Sequence, residues 1–275
     1  MLRLAAVSGK RRIHVGPALF LCLLVAACSR SEQAAEGVAR QLTCQAQTSV
    51  LEQRIVERVV DGDTLHLVGG DRVRLIGVNT PELGRDGGVD EPLAREARSA
   101  LTAMLGTSRQ VWLQDGAQGR DRHGRRLAYA FDGEGNSLSG QLIASGLGFH
   151  VAIAPNTRYA ACLSELDDAA RLARAGVWSE PAFAARGVAE LGRDQGGFVR
   201  VRDRVTRVSF KQNGWWVQLG GKLGVQIDGD ARRLFSQEDL RSLHGRHVEV
   251  RGWLIPMRGD WWMINLGHPD MLQRL

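Results

Sequence analysis

Two runs of alternating apolar and polar residues, Thr64–Val68 and Arg72–Val78, flank Gly69-Gly70-Asp71. Period two marks half-buried strands, and a glycine-rich break between two such runs predicts a β-hairpin. The period then changes. Leu93, Ala97, Ala100, Leu101, Met104 and Leu105 fall at helical spacing within Pro92–Leu105, and Gly106 stops the run. Gln110–Leu113 predicts a short strand. Asp121–Phe131 predicts a turn at Gly124 leading into another. Leu138–Ser145 and Tyr159–Ala173 predict two helices, ended by Gly146 and Gly176.

With a strand ahead of the hairpin in a domain that begins at residue 51, the order is strand, strand, strand, helix, strand, strand, then two helices, which is that of an OB-type five-stranded barrel with C-terminal helices. Alternation resumes after an Ala/Gly-rich stretch. Val199–Phe210, Trp215–Leu219 and Leu223–Ile227 predict three strands, Phe235–Leu243 a helix, and His247–Ile255 and Trp261–Leu266 two more strands. That is the OB order again. The expected fold is therefore mainly β with helices (α+β). The first barrel spans 51–180, a linker 181–197, and a smaller OB-like barrel 198–275.

The first 27 residues follow a different logic. Lys10–Arg12 form a basic patch before the apolar run Ala18–Ala27, which is shorter than the roughly 20 residues a membrane span needs. Val25-Ala26-Ala27-Cys28 resembles a bacterial lipobox. The resemblance implies cleavage before Cys28, lipidation of its thiol and, with Ser29 following, an outer-membrane anchor facing the periplasm. An uncleaved N-terminal anchor would leave the domain on the same side of the membrane. Residues 28–50 lack periodicity and read as a tether.

Charge follows these boundaries. Residues 28–185 carry 17 Lys and Arg against 20 Asp and Glu, whereas residues 186–275 carry 15 against 10. A basic second half suits a polyanionic partner, although solvated surfaces show the same imbalance. Of the four cysteines, Cys22 lies in the apolar leader and Cys28 in the lipobox. Cys44 and Cys162 remain, and in an oxidising compartment such a pair suggests a disulfide between the tether and the helix after Pro155. Two unrelated thiols fit the sequence as well.

The chemistry-bearing residues cluster at the hairpin. Asp61 and Asp63 flank Gly62 at the start of its first strand, and Asn79, Thr80 and Glu82 follow its second. In an antiparallel pair those ends are neighbours. Oxygen donors beside Arg74 suit a hard cation such as Ca²⁺ with a phosphate next to it. Taken separately, Asp61–Thr64 could be only a turn and Thr80–Glu82 only the opening of a loop.

Ordered motifs from about Ile55 to Trp178 resemble the thermonuclease, or staphylococcal-nuclease-like, family. They are Asp61-Gly62-Asp63-Thr64, Val73–Glu82, Glu96-Ala97, Asp121–Arg125 before Leu127-Ala128-Tyr129, Gly146-Leu147 and Gly176–Trp178. The resemblance implies a calcium-dependent nuclease hydrolysing phosphodiester bonds of DNA and RNA. It implies Ca²⁺ held by Asp63, Asn79 and the Thr80 carbonyl, with Asp61 in the outer shell through water. It gives Glu82 the attacking water, and Arg74 and Arg125 the scissile phosphate. No obligate protein partner is implied.

There are two departures. Asn79 stands where the family has an aspartate, which removes one negative charge from the cation site. The family's tyrosine pair near the base is absent, leaving Phe149 and His150 in that region, and Phe149 reads better as core. The alternative function is a catalytically weak nucleic-acid-binding envelope lipoprotein; a third is a structural envelope lipoprotein. In the second barrel, Trp215-Trp216, Trp253 and Trp261-Trp262 occur with Arg200, Arg202, Arg204, Arg207 and Lys211. Exposed members of that set would suit single-stranded nucleic acid, and buried ones barrel packing. In each adjacent tryptophan pair a strand would turn one ring inward and one outward.

Overall fold

The computed structural model describes residues 44–46, 51–84, 87–192 and 195–275. The leader, the lipobox with Cys28 and most of the tether lie outside the described residues. The described residues form one compact unit. Among the described residues no helix is long and apolar enough to cross a membrane.

The fold is α+β with two closed five-stranded OB-type barrels. The first is built from β1 (Glu52–Val59), β2 (Thr64–Leu67), β3 (Arg72–Leu75), β5 (Gln110–Arg120) and β6 (Arg126–Phe131), in the order β1-β2-β3-β6-β5. Antiparallel β1–β5 pairing and a parallel β3–β6 pairing close it. Leu65, Leu67, Val73 and Leu75 point inward as the period-two pattern requires, and all are buried. Helices α1 (Ala94–Leu105), α2 (Leu138–Ala144) and α3 (Ala160–Leu172) supply Leu101, Leu142 and Leu163 to the same core. Ser137 caps α2 by accepting from the Gly140 N–H at 3.1 Å.

The structure divides the second hairpin run. Gly77, at φ +95°, ends the barrel strand, and Val78–Asn79 become a short β4 paired with β7 (Phe149–His150). A side chain at Gly77 would collide with Leu163, so glycine suits both the φ and the close approach of α3. Strand β5 is longer than the sequence suggested, running to Arg120 with a register shift between Asp115 and Arg120. Cys44 and Cys162 form a disulfide with Cα atoms 5.7 Å apart, joining the segment before β1 to α3.

The second barrel repeats the strand order of the first. Strands β8 (Gly197–Lys211), β9 (Gly214–Leu219), β10 (Leu223–Ile227), β11 (His247–Met257) and β12 (Trp261–Asn265) run β8-β9-β10-β12-β11, with β11 closing on β8 and β10–β12 parallel. A short β13 (Leu272–Arg274) adds to β11. Helix α4 (Gln237–Ser242), capped by Ser236, stands between β10 and β11 as α1 stands between β3 and β5. The connection at 181–197 is packed rather than free: Val188 and Leu191 are buried in the second core.

The barrels meet through buried polar and aromatic contacts. The Asp167 carboxylate on α3 receives Arg251 Nη1 of β11 at 2.5 Å and the His150 main-chain N–H at 2.9 Å. Phe149 stacks on Phe198, with ring centroids 5.4 Å apart. The Arg200 guanidinium lies 4.5 Å from the Trp178 ring centroid, within cation–π range.

Candidate active site

The site lies where β2 begins, β3 ends and β4 leaves the barrel. Gly62 lets these segments close together. A Cβ there would come within 2.7 Å of Thr80 and of Ala97 on α1, so α1 fixes the loop only because residue 62 has no side chain. Asp61 Oδ1 accepts the Asp63 main-chain N–H at 3.0 Å. That local bond turns the Asp63 carboxylate toward Thr80. Its Oδ2 accepts from the Thr80 main-chain N–H at 3.1 Å and the Thr80 hydroxyl at 3.2 Å, and Oδ1 from the Thr64 hydroxyl at 3.1 Å.

Arg74 is held in one plane. Its Nη1 donates to the carbonyls of Leu75 and Val78, both at 2.8 Å. Its Nη2 faces the Asp63 carboxylate at 3.0 Å and donates to Asn79 Oδ1 at 3.2 Å. Arg125 reaches the same place from the β5–β6 turn, where Nη1 meets the Thr64 hydroxyl at 3.5 Å. Asp121 sets it there, with Oδ1 accepting the main-chain N–H of His123 and Arg125 and Oδ2 accepting Arg125 Nε at 2.8 Å. Gly124, at φ +75°, completes the turn.

Glu82 is exposed at the rim. Its main chain is locked to Glu91: the Glu82 N–H donates to Glu91 Oε2 at 2.8 Å, and the Glu82 carbonyl accepts the Glu91 N–H at 2.9 Å. Its charge reaches the buried pair. Burial, then Asp63 and, more weakly, Glu82 push the Asp61 carboxyl up to about 6.

The structure thus brings Asp61, Asp63, Arg74, Asn79, Thr80, Glu82 and Arg125 to one end of the first barrel. Two contributors were not singled out from the sequence. Thr64 bridges Asp63 and Arg125, and Asp121 aims Arg125; the adjacency of Thr64 to Asp63 and the Asp-x-x-Gly turn spacing were the available signals. Phe149 is core, as its sequence context suggests, and base stacking by the Phe149–His150 pair is lost. His150 and Phe149 are 0% and 2% exposed, so neither can stack on a base. His150 sits against the Gly77 carbonyl and Asp270. Both tyrosines, Tyr129 and Tyr159, are buried as well.

Two carboxylates, an amide oxygen and the Thr80 carbonyl are hard donors of the kind Ca²⁺ takes. Burial of one carboxyl beside another raises the cost of ionising both, a cost that a cation would relieve. The residues fit the ion on that ground. No group of three or more His, Cys, Asp or Glu that could hold a metal occurs among the described residues; the donor set here combines two acids with neutral oxygens.

The crowding has a consequence for stability. Between the ordinary aspartate pKa of 3.8 and about 6, the folded chain binds a proton at Asp61 that the unfolded chain has released. Stability contributed by that proton falls as pH rises through this window and is gone above it. In the presence of a chelator, Asp61→Asn is expected to stabilise the protein at pH 7.5 by roughly 2–3 kcal/mol, and by nothing near pH 3.5. The asparagine oxygen still accepts the Asp63 N–H. Urea midpoints across pH test this, and an equal change at both pH values would reject it.

A family model described as staphylococcal nuclease homologue matches residues 72–180. The thermonuclease of Staphylococcus intermedius is 32% identical over 130 residues, covering 46% of this chain and 76% of that protein. The thermonuclease of Staphylococcus hyicus is 33% identical over 128 residues, covering 45% and 74%. The succinoglycan biosynthesis protein ExoI of Rhizobium meliloti is 33% identical over 135 residues, covering 46% and 67%.

Proposed function

The chain belongs to the staphylococcal nuclease homologue family, and on that premise we propose that it is a calcium-dependent nuclease hydrolysing phosphodiester bonds of DNA and RNA in the cell envelope. The observation that carries this reading is the convergence of two guanidinium groups on the Asp63–Thr64 pair, Arg74 at Asp63 and Arg125 at Thr64. Each is set by partners behind it, Arg74 by two carbonyls and Arg125 by Asp121.

A phosphodiester gains negative charge on its equatorial oxygens as water attacks. Planar guanidinium groups meet those oxygens with paired hydrogen bonds, which a lysine ammonium cannot do; Arg74 Nη2 would exchange Asp63 and Asn79 for the phosphate as the cation takes their oxygens. Glu82 takes the proton from the attacking water as the new P–O bond forms and the bond to the leaving sugar oxygen breaks. Asp63, Asn79 and the Thr80 carbonyl would hold Ca²⁺, with Asp61 ordering water around it. When bound, the ion supplies Lewis-acid stabilisation of the phosphoryl oxygens.

Asn79 bears on the alternative, a catalytically weak nucleic-acid-binding protein. Its side-chain oxygen accepts from Arg74, and it is buried. Asn79→Asp adds a second inner carboxylate, so the activity midpoint in a Ca²⁺ titration is expected to fall severalfold while the rate at saturating Ca²⁺ changes less. An unchanged or higher midpoint would count against ligation at residue 79. Loss of all nucleolysis in EGTA and its return on adding Ca²⁺ test the activity itself; hydrolysis indifferent to both would remove the ion from the reaction.

Export is part of the same proposal. It is supported by Lys10–Arg12, by the Ala18–Ala27 run, and by a Cys44–Cys162 disulfide that needs an oxidising compartment. Attachment to the outer membrane through Cys28 rests on Val25–Cys28 and the Ser29 that follows.

A further inference from the structure

Phe149, His150 and both tyrosines are buried in or against the first barrel, so none of them meets a base. The outer face of the second barrel holds a groove of about 670 Å³ formed by β8, β9, β10, β12 and the end of β11. Strand alternation decides its lining. Arg207, Ser209 and Lys211 face out from β8, while Val217, Val225 and Ile264 face the core. Trp216 lies opposite Ser209, and Trp261 opposite Met257.

Gly224 shapes the floor. A Cβ there would stand 3.2 Å from Trp216 Cζ3, so the ring lies over bare backbone at this point of β10. Trp261 and Met257 are 43% and 50% exposed, a large apolar surface at the groove's edge. The inward partner, Trp262, is only 5% exposed, so one ring of this pair packs and the other faces out. Three cations line the same groove (Arg207, Lys211 and Arg258), and no carboxylate does.

The other arginines of β8 are committed elsewhere. Arg200 and Arg202 both bind Glu249, and Arg204 donates to the Gly245 carbonyl.

We propose that this groove is a second binding site for single-stranded nucleic acid, with Trp216 and Trp261 as stacking platforms and Arg207, Lys211 and Arg258 following the phosphates. The choice of polyanion rests on the phosphodiesterase reading above. Aromatic faces beside a row of cations suit a strand whose bases are free to stack; a duplex hides those faces between its own base pairs. Stacking takes any base, so the groove adds affinity without selecting sequence. Its role is to hold a strand whose other part enters the active site, raising the local concentration of scissile bonds there.

The test uses the complete chain in EGTA, with fluorescein-labelled oligothymidylate of about 16 nucleotides, at the upper end of the site size for one OB fold. Trp261→Ala is expected to raise the Kd roughly 10-fold, within the range measured for losing one base–aromatic stack. The Arg207→Glu/Lys211→Glu variant is expected to raise it further and to flatten the salt dependence by at least about 0.7 per lost phosphate contact. These side chains are exposed and the fold does not depend on them, which unchanged urea midpoints check. A Kd within twofold of the parent in both variants would overturn the proposal. So would binding of phosphatidylglycerol vesicles that disappears in these variants when oligothymidylate binding does not. Cleavage assayed separately with Ca²⁺ keeps the two readings apart. Binding through the groove without cleavage defeats the nuclease alone; cleavage with unaltered Kd defeats the groove alone.

Discussion

Replacing Glu82 by glutamine is expected to lower turnover on a nucleic-acid substrate by about 10²–10⁴-fold, the usual contribution of a positioned general base. The substitution keeps the size of the side chain and removes its ability to take a proton. The loop should survive, because residue 82 is held through its main chain, to both the carboxylate and the main-chain N–H of Glu91. Substrate binding should survive too, since the phosphate grip is assigned to Arg74 and Arg125, which are held by partners other than Glu82, among them Leu75, Val78 and Asp121. The expected signature is therefore a large fall in kcat with a Kd, measured in chelator, near that of the parent. Equal turnover would remove Glu82 from the mechanism. A parallel loss of binding would make it a positioning group instead.

Asp167→Ala is expected to cost about 3–5 kcal/mol of stability, the range for stranding one member of a buried ion pair. Asp167 and Arg251 are 2% and 7% exposed. Without the carboxylate, Arg251 retains a long hydrogen bond from Nη2 to the Asp270 carbonyl at 3.4 Å and the Trp178 ring 5.7 Å away, and its Nε already lacks a hydrogen-bond partner among the described residues. The His150 N–H loses its acceptor in the same step. An apolar double variant, Asp167→Leu/Arg251→Met, should recover much of the loss, because it leaves no charge unpaired. Urea denaturation of the single and double variants reads both. A single-variant loss below about 1 kcal/mol would mean that water replaces the carboxylate and the contact between barrels is wet.

How much of this was legible in the chain depends on whether a residue's role is local. The β2–β3 hairpin was readable because period two and a Gly-Gly break are local signals. The end of β3 was not. The apolar run continues past Leu75 through Ile76 to Val78, and the packing of Leu163 against Gly77 shows where the strand must stop. The outer half of β5 was missed for the opposite reason. Residues 114–120 leave the core, so no buried face imposes an alternation. Asp61, Asp63, Arg74, Asn79, Thr80 and Glu82 of the candidate site were legible as a set because one hairpin and its two ends carry them; Arg125 joins from the β5–β6 turn. Asp167 was not, since an acid on a helix reads like any solvated charge until its neighbour across the interface is known. The arginine row of the second barrel was legible as charge but not as surface. Glu249 takes two of its members, and Arg258, which the alternation along β8 could not supply, takes their place in the groove.

The Cys44–Cys162 bond closes a covalent ring over a separation of 118 residues, and every strand of the first barrel lies inside it. Tension applied to the chain ahead of Cys44 passes through the sulfur bridge into α3 and on toward the second barrel. Asp61–Glu82 and Arg125 sit on the slack side of that bridge, outside the line of force. A chain tethered at its N-terminus in flowing or crowded surroundings would thus transmit pull past the candidate site while the bond is intact. A protease cut in any loop of the first barrel would open the ring without releasing a fragment. Reduction changes both outcomes together: the bypassed length of about 400 Å of extended chain becomes available to stretch, and the same cut then separates the molecule in two.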